Sequence, residues 1–578
     1  MKALGRLASW ARVRAAVLAI VALGLAWGFV MHTPGWAQLA HFTEVRALAG
    51  GHPEVDRWHW ETGDVAWIDG HYYSVKSPGM AMLSVPLYRA IDAAGGLELA
   101  RDAAENARGA YRPRWEPNEQ APYAQYGYDP VRAKRVELRI EAGTPVLWAL
   151  TLLAAVVPAI ILLLLVRWVA ERLEPGYGTA AAITLGVATI MIVFAAEFFS
   201  HAISATLGFA AFVVLFRERA GPARLAPVAA AGLLAGLAVT FEFQLGLVGV
   251  VLFFYALWRA GALKRAAVYA AGAVAGSLPV FAYNWWALGS PFKLAYSKAV
   301  AVIGLSGHSS LGLNSDGFFG ITLPRPGAAV DLLFASRGLL VLTPVIVMAV
   351  VGVVLMHRRG HRAEAWTVAA VAGAYFLYNI AYWQPYGGGT PGPRFLIPAL
   401  PFLALGLAFA YRRLPATTLA LAIPSALWML TASLTYPLIG EQGTGLWVSM
   451  LGDGTIEHTL LTVVGVHGNW IAALPLVVFF GLSIWLAVAA TPRRAVRRSD
   501  LRTASAAVAG WVVISILGPS VAGDPVTPLD GGAQALWLVA AGAVVSLFVL
   551  AVLQYRGTRP GETSALVTGD LALGERTS

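Results

Sequence analysis

The sequence predicts an all-α polytopic membrane protein with about 14 transmembrane helices and a large, partly helical first extracytoplasmic loop. Three observations carry this. Of 578 residues, 58% are hydrophobic and only 13% are charged, about half the charged share of a soluble globular chain. Apolar runs of about 20 residues, enough to cross a bilayer core, recur along the chain. Basic residues collect in alternate, short connections between those runs.

The runs fall at about 15–31, 145–166, 178–196, 202–216, 226–241, 244–258, 267–285, 337–356, 365–382, 395–411, 416–435, 470–489, 504–519 and 534–553. The connections "RWVAERLEPG", "RERAGPAR", "RAGALKR", "HRRGHRAE", "RR" and "TPRRAVRRSD", together with both termini, hold 24 Lys/Arg against 8 Asp/Glu. The rest of the chain holds 18 against 24. Positive charge marks the cytoplasmic side. Both termini are therefore expected inside a cell (inner or plasma) membrane. The net charge of +10 then reports orientation, and no nucleic-acid partner is expected. With no cysteine in the chain, disulfide and thiolate chemistry are excluded.

Five regions follow. Residues 1–31 are a cytoplasmic N-terminus and first span. The start "MKALGRLASWARVR" resembles a signal-peptide n-region, but no small-residue cleavage site follows, so the helix is read as retained. Residues 32–144 form the long outer loop, which must fold because unstructured loops beyond about 15 residues are uncommon. Within it "PGMAMLSVPLYRAIDAAGG" reads as an amphipathic helix on the membrane surface and "LELARDAAENARGAY" as a second helix. "RWEPNEQAPYAQYGYDP" reads as irregular. Residues 145–411 are a transmembrane core with an outer loop at 286–336. Residues 412–553 are four further spans, and 554–578 a cytoplasmic disordered tail. No tandem repeat of 20–50 residues or inverted symmetry between halves is visible.

Polar chemistry concentrates in the outer segments. Glu44, Glu54, Asp56, Glu61, Asp64 and Asp69 lie within 26 residues. Each alone reads as a solvated loop charge. The set is unusual for its aromatic company of Trp58, Trp60, Trp67, Tyr72 and Tyr73, and for Gly63 and Gly70 at tight turns, which can fix a carboxylate's direction. Lys76 precedes Ser77-Pro78-Gly79. Pro78 biases Ser77 toward extended backbone, which aims Lys76 at the membrane surface, to snorkel or to meet a phosphate.

"AAEFFSHAISATLGF" sets Glu197 and His201 four residues apart, on one face if a helix continues through both. They read as a hydrogen-bonded interfacial pair before a metal pair. Glu242 lies at an outer helix end and needs a partner or a wet cavity, since a mid-membrane charge costs at least about 2.5 kcal/mol. In "YNWWALGSPFKLAYS" the tryptophans read as an interface anchor, leaving Lys293 and Tyr296 free to meet a ligand. In "NIAYWQPYGGGTPGPRFLIPALPFLALG" the glycines Gly387 to Gly389 let the backbone approach something closely. Arg394, where the next helix begins, can pair bidentately with phosphate or serve as an orientation charge or structural ion pair.

With these runs in hand, the chain resembles the GT-C class of membrane glycosyltransferases, which includes protein O-mannosyltransferases and lipid A aminoarabinose transferase. The phrases "TGDVAWIDGHYYSVKSPGMAMLSVPLY", "EFFSHAISATLGF", "YNWWALGSPFKLAYS" and "GPRFLIPALPFLAL" look like those of a bacterial branch, in the same order, over most of residues 30–410. The resemblance implies transfer of a sugar from a polyprenyl-phosphate donor to an extracytoplasmic glycan, lipid or protein. Membrane lipids and the lipid-linked sugar are the partners it implies. Lys76 and Arg394, with Lys293 behind them, become candidates for the donor phosphate. Asp64, then Asp69, then Glu44 become candidates for the base. Tyr72, Tyr73 and Trp67 become candidates for stacking on a sugar, with Glu197, His201, Glu242 and Tyr296 as further substrate contacts. No strong metal site is read and metal independence is expected. The sequence departs from the class at one place: an acid is common just after the first helix, where this chain has Gln38. Two other readings stay open, a transporter or flippase of lipid-linked or small substrates, and a non-catalytic family member.

Overall fold

The computed structural model describes residues 2–108, 130–298, 320–439, 443–466, 469–492, 495–524, 527–528 and 532–557. The segment read as irregular (Pro130 excepted), residues 299–319 of the outer loop read at 286–336, and nearly all of the tail lie outside them.

Helix dominates because long apolar segments satisfy their own backbone groups only that way in lipid. Helix α1 (Lys2–Phe29) packs along the helix Asn469–Ala490, a contact between segments more than 400 residues apart. Among the described residues eight helices are long and apolar enough to cross a membrane. Nine are, if the pair Pro326–Leu342 and Val345–Arg358, bent by 87°, counts as one span. Shorter apolar helices include Gly178–Val187 and Leu225–Phe241. The count of about 14 read from hydropathy is thus not reached by helix length. The run read at 178–196 shows why: its helix stops at Val187 and a bend precedes the single turn Met191–Phe194. In the last helices, large apolar side chains such as Trp485, Val513, Val544 and Phe548 are exposed, a belt that lipid tolerates and water does not.

The core helices meet through small residues. Gly232 and Gly236 on Leu225–Phe241 face Gly272 and Gly276 on Ala262–Leu288. A Cβ on any of the four would press into a backbone carbonyl of the opposite helix. Both faces carry the i, i+4 glycine spacing that lets transmembrane backbones touch.

The basic connections gather on one face, as the charge pattern requires. Glu218 is bound by Arg265 at 2.9 Å and by Arg259 at 3.2 Å. Glu174 is bound by Arg412, with Arg359 at 3.9 Å. These pairs involve five of the basic connections. The helix His201–Arg219 (19 residues) runs from the opposite face to this one, about 28 Å at 1.5 Å per residue.

On that opposite face the chain after α1 folds back. Strand β1 (Val30–Met31) pairs antiparallel with β4 (His458–Thr459), a link between remote segments that no sequence pattern announced. Helix α2 (Trp36–Ala49) follows, with Ala37 to Ala47 all buried. Strands β2 (Val65–Ile68) and β3 (His71–Ser74) form a hairpin. Asp69 (φ 52°) and Gly70 (φ 91°) make its two-residue turn, for which Asp-Gly is a favoured pair. Helices α3 (Gly79–Ala93) and α4 (Gly96–Arg108) fall where the two loop helices were expected. Helix α5 (Pro130–Thr151) begins well inside the region read as loop and is part of a continuous helix, Arg135–Leu173.

Candidate functional site

The outer loop is seated by a polar anchor at the mouth of the core. The Ser77 hydroxyl donates to the Thr240 carbonyl at 2.7 Å. Gly79 lies so close that a Cβ there would sit 2.6 Å from the same oxygen. Thr240 ends the Leu225–Phe241 helix, so the start of α3 is pinned to it. On the α2 side Arg46 binds Glu61 through both guanidinium nitrogens and lies over the rings of Phe42 and Trp58. Asp56 ties down the hairpin, accepting from the Tyr72 backbone at 2.6 Å and meeting His71 at 2.7 Å. Glu61 and Asp56 are thereby assigned to structure.

A cluster of basic groups forms around Asp64. Lys76 is folded inward, its Nζ 2.6 Å from Asp64 Oδ2, both side chains mostly buried. This corrects the expectation that Lys76 points at the membrane surface: the side chain turns inward to the carboxylate that the hairpin brings beside it. His41, fully buried on α2, lies within electrostatic reach of Lys76, Asp64 and Arg394. Loss of hydration and the two cations push its imidazole down to about 3, so it is neutral at physiological pH. His201 opens its helix within reach of Arg394, His41 and Lys76. His201 Nδ1 is 3.2 Å from Glu242 Oε1, although the angle is too poor for a sound hydrogen bond. The Ser200 hydroxyl also donates to Glu242, which so obtains the partners its position demands.

Arg394 differs from the other cations. Among the described residues no carboxylate lies within 4 Å of it, and its Nε has no hydrogen-bond partner. Its guanidinium sits between the rings of Phe199 and Phe395. What the glycine run lets approach is Arg394 itself: a Cβ on Gly387 (φ 75°) would sit 2.8 Å from Arg394 Nε. The expected helix N-terminus is displaced, since Arg394–Ala399 is a 3₁₀ segment and the α-helix starts at Leu400.

Tyr296 reaches the cluster too. Its hydroxyl meets that of Tyr382 at 2.7 Å, within electrostatic reach of Asp64 and Arg394. Lys293 and Asp69 do not join it. They meet each other at 3.7 Å, with the Asp69 side chain 87% exposed at the hairpin tip. Glu44 is wholly buried on α2, and burial raises its pKa to about 8. The Tyr283 and Ser74 hydroxyls face it and moderate the rise, without closing well-formed hydrogen bonds. Near pH 7 Glu44 is therefore mostly a neutral acid.

The aromatic set divides. Trp67 and Tyr72 are cross-strand partners with rings 4.5 Å apart, and Tyr72 stacks on His59 at 4.2 Å. Tyr73, the next residue, points to the other face of the ribbon and packs with Tyr283 and Leu288. The three do not form one sugar platform, which corrects their grouping.

Glu197 and His201 do not share a helix face, because the helix begins only at His201. The Glu197 carboxylate instead accepts from Gln38 Nε2 at 2.8 Å. Burial and nearby Glu457 push its carboxyl well above the usual range, while Gln38 and Arg394 pull it back. Sequence reasoning missed His41, His32 and Glu457. His41 was detectable: Gln38, His41 and Glu44 recur at intervals of three in an otherwise apolar helix, a spacing that gathers them toward one side. Among the described residues no group of three or more His, Asp or Glu is arranged to hold a metal ion.

No protein-family model matches the chain, and no curated protein matches it. Among solved structures it is similar to ArnT from Cupriavidus metallidurans bound to undecaprenyl phosphate, at 13% identity and a TM-score of 0.43, covering 83% of this chain and 77% of that one. The apo state of the same protein gives 14% and 0.42 over 85% and 78%. It is also similar to the Archaeoglobus fulgidus oligosaccharyltransferase in its apo form, at 11% and 0.40, covering 87% of this chain but 58% of that one. The likenesses are loose and set no residue role in this chain.

Proposed function

We propose that the protein is a membrane glycosyltransferase that takes a sugar from a polyprenyl-phosphate donor at the outer face of a cell membrane, with both termini cytoplasmic. The observation that carries this reading is the cationic cluster. Lys76, Arg394, His41 and His201 come from four separate segments, each histidine lies within electrostatic reach of both Lys76 and Arg394, and Arg394 lacks a carboxylate partner among the described residues. Arg394 is half-buried, with its Nε wholly buried and unpartnered. A partly desolvated guanidinium without a counter-ion is costly, and a bound phosphate supplies one with matching geometry.

In this reading Arg394 and Lys76 bind the donor phosphate and stabilise it as it leaves, the electrostatic role with the largest payoff in such sites. Neutral His41 and His201 offer N–H donors without adding charge. Asp64, the first sequence candidate for the base, holds Lys76 in place.

Purified full-length protein in nanodiscs, given a panel of radiolabelled undecaprenyl-phosphate-linked hexoses and pentoses, is expected to release or transfer sugar from at least one. No turnover of any donor, together with no binding of undecaprenyl phosphate, rejects the reading. The transport alternative is favoured by one feature, the 87° bend between Pro326–Leu342 and Val345–Arg358, since broken helices line transporter sites. Movement of a fluorescent polyprenyl phosphate across vesicles without sugar release would support it.

A further inference from the structure

The carboxylates of the outer site differ in what already occupies them. Asp64 is engaged by Lys76 at 2.6 Å. Glu44 is faced by the Tyr283 and Ser74 hydroxyls, and Asp69 stands exposed on the hairpin turn. Glu197 is 2% exposed. One of its oxygens, Oε2, accepts from Gln38. The other, Oε1, is buried without a partner. Glu197 also lines a small recess of about 10 Å³, room for a water-sized group, with His32, Pro34, Trp148 and Phe198. Arg394 is within electrostatic reach of the same carboxylate. The residue thus stands between the cationic cluster and a recess of its own.

We propose that Glu197 is the carboxylate that takes the acceptor hydroxyl's proton, that Gln38 is its positioning residue, and that the recess beside it admits the acceptor hydroxyl. This rests on the glycosyl-transfer reading above. In the step, the acceptor oxygen bonds to the anomeric carbon. The bond from that carbon to the phosphate oxygen breaks, and its electron pair leaves with the phosphate toward Arg394 and Lys76. The hydroxyl proton passes to Glu197 Oε1 and afterwards to water.

The surroundings suit that task. Glu457 is fixed by the Thr33 backbone N–H at 3.3 Å and the Thr33 hydroxyl at 3.1 Å, with His32 Nδ1 3.8 Å from its other oxygen. Burial first, and then the Glu457 charge, raise the proton affinity of Glu197 well above the usual carboxyl range, and the Gln38 hydrogen bond and Arg394 lower it. A base works best when its pKa is near the working pH, so the Gln38 donor acts in the direction a base at this position needs.

The test uses the full-length protein in nanodiscs, undecaprenyl-phosphate-linked sugar as donor and water as acceptor. Glu197→Gln is expected to lower kcat by about 10²–10⁴-fold with undecaprenyl phosphate affinity unchanged. The swap Glu197→Gln/Gln38→Glu keeps the atoms of the pair and returns a carboxylate to it, and is expected to recover activity over the single variant. Gln38→Met, which removes the hydrogen bond to the carboxylate, is expected to move the acidic limb of the kcat–pH profile upward with KM unchanged. A Glu197→Gln protein with undiminished kcat, or a Gln38→Met profile that does not move, overturns the inference. In both cases donor turnover by the unaltered protein leaves the glycosyltransferase reading standing. If the unaltered protein neither binds nor turns over the donor, that reading fails and the inference with it.

Discussion

Gln38 Nε2 donates to Glu197 Oε2 at 2.8 Å across 159 residues of chain. The bond joins the helix that follows the first span to the segment that opens the His201–Arg219 helix. A glutamine therefore stands where the GT-C resemblance leads one to expect an acid, and a carboxylate from elsewhere stands beside it.

Arg394→Ala is expected to weaken undecaprenyl phosphate binding by roughly 10–100-fold, the loss of a charge-assisted contact worth about 1.5–3 kcal/mol. Arg394→Lys restores the charge but not the fork and should recover only part. Donor titration by microscale thermophoresis checks this, and identical curves for all three proteins would make Arg394 structural.

Asp64 and Lys76 are expected to be energetically coupled. Removing one partner of a buried pair leaves the other charge uncompensated, at about 3–5 kcal/mol. Asp64→Asn should therefore cut sugar release while the protein still accumulates in membranes, and Lys76→Met should do the same. A double-mutant cycle on donor affinity reads the coupling. Additive losses would show that the 2.6 Å contact does not act as a unit.

Two buried groups on α2 set opposite pH slopes. The folded pKa of Glu44 is raised to about 8, so its favourable contribution is full below the unfolded value near 4.5 and is lost as pH rises to about 8. The slope there approaches ~1.4 kcal/mol per pH unit. His41 is depressed to about 3, so its contribution is full above the unfolded value near 6.5 and is lost as pH falls toward 3. Glu44→Gln should remove the alkaline loss. Melting temperatures from pH 5 to 9 are expected to separate the variant from the parent increasingly as pH rises, and parallel curves would place Glu44 in contact with water.

Gly236→Ala should destabilise the core by about 1–3 kcal/mol, because the added methyl is forced against a backbone carbonyl. Gly249→Ala is the control, since its Cβ meets only the Ala235 methyl at 3.8 Å. Thermal unfolding in detergent distinguishes them, and equal midpoints would mean the helices part easily.

Much of this architecture was legible from charge and hydropathy. The connections bearing Arg259, Arg359 and Arg412 do meet on one face, because positional charge bias survives any detail of packing. The helices α3 and α4 were legible from local amphipathic pattern. What was not legible depended on long-range pairing. Nothing near Glu457 announces that it will meet Thr33, and nothing near Gln38 announces Glu197. Asp64 and Lys76 stood in one quoted phrase, yet the inward turn of Lys76 depends on the hairpin between them. Tyr72 and Tyr73 looked like one feature only because a one-dimensional string hides the alternation of a strand.

The glycine seam between Leu225–Phe241 and Ala262–Leu288 reaches further than its own two helices. One of them ends at the carbonyl that holds Ser77, the residue next to Lys76. The other carries Tyr283, which faces Glu44. The seam therefore acts as a splint, fixing the spacing of two posts on which the water-side machinery is mounted. Slippage between these two helices would be felt at Lys76 and Glu44 without any change to either residue.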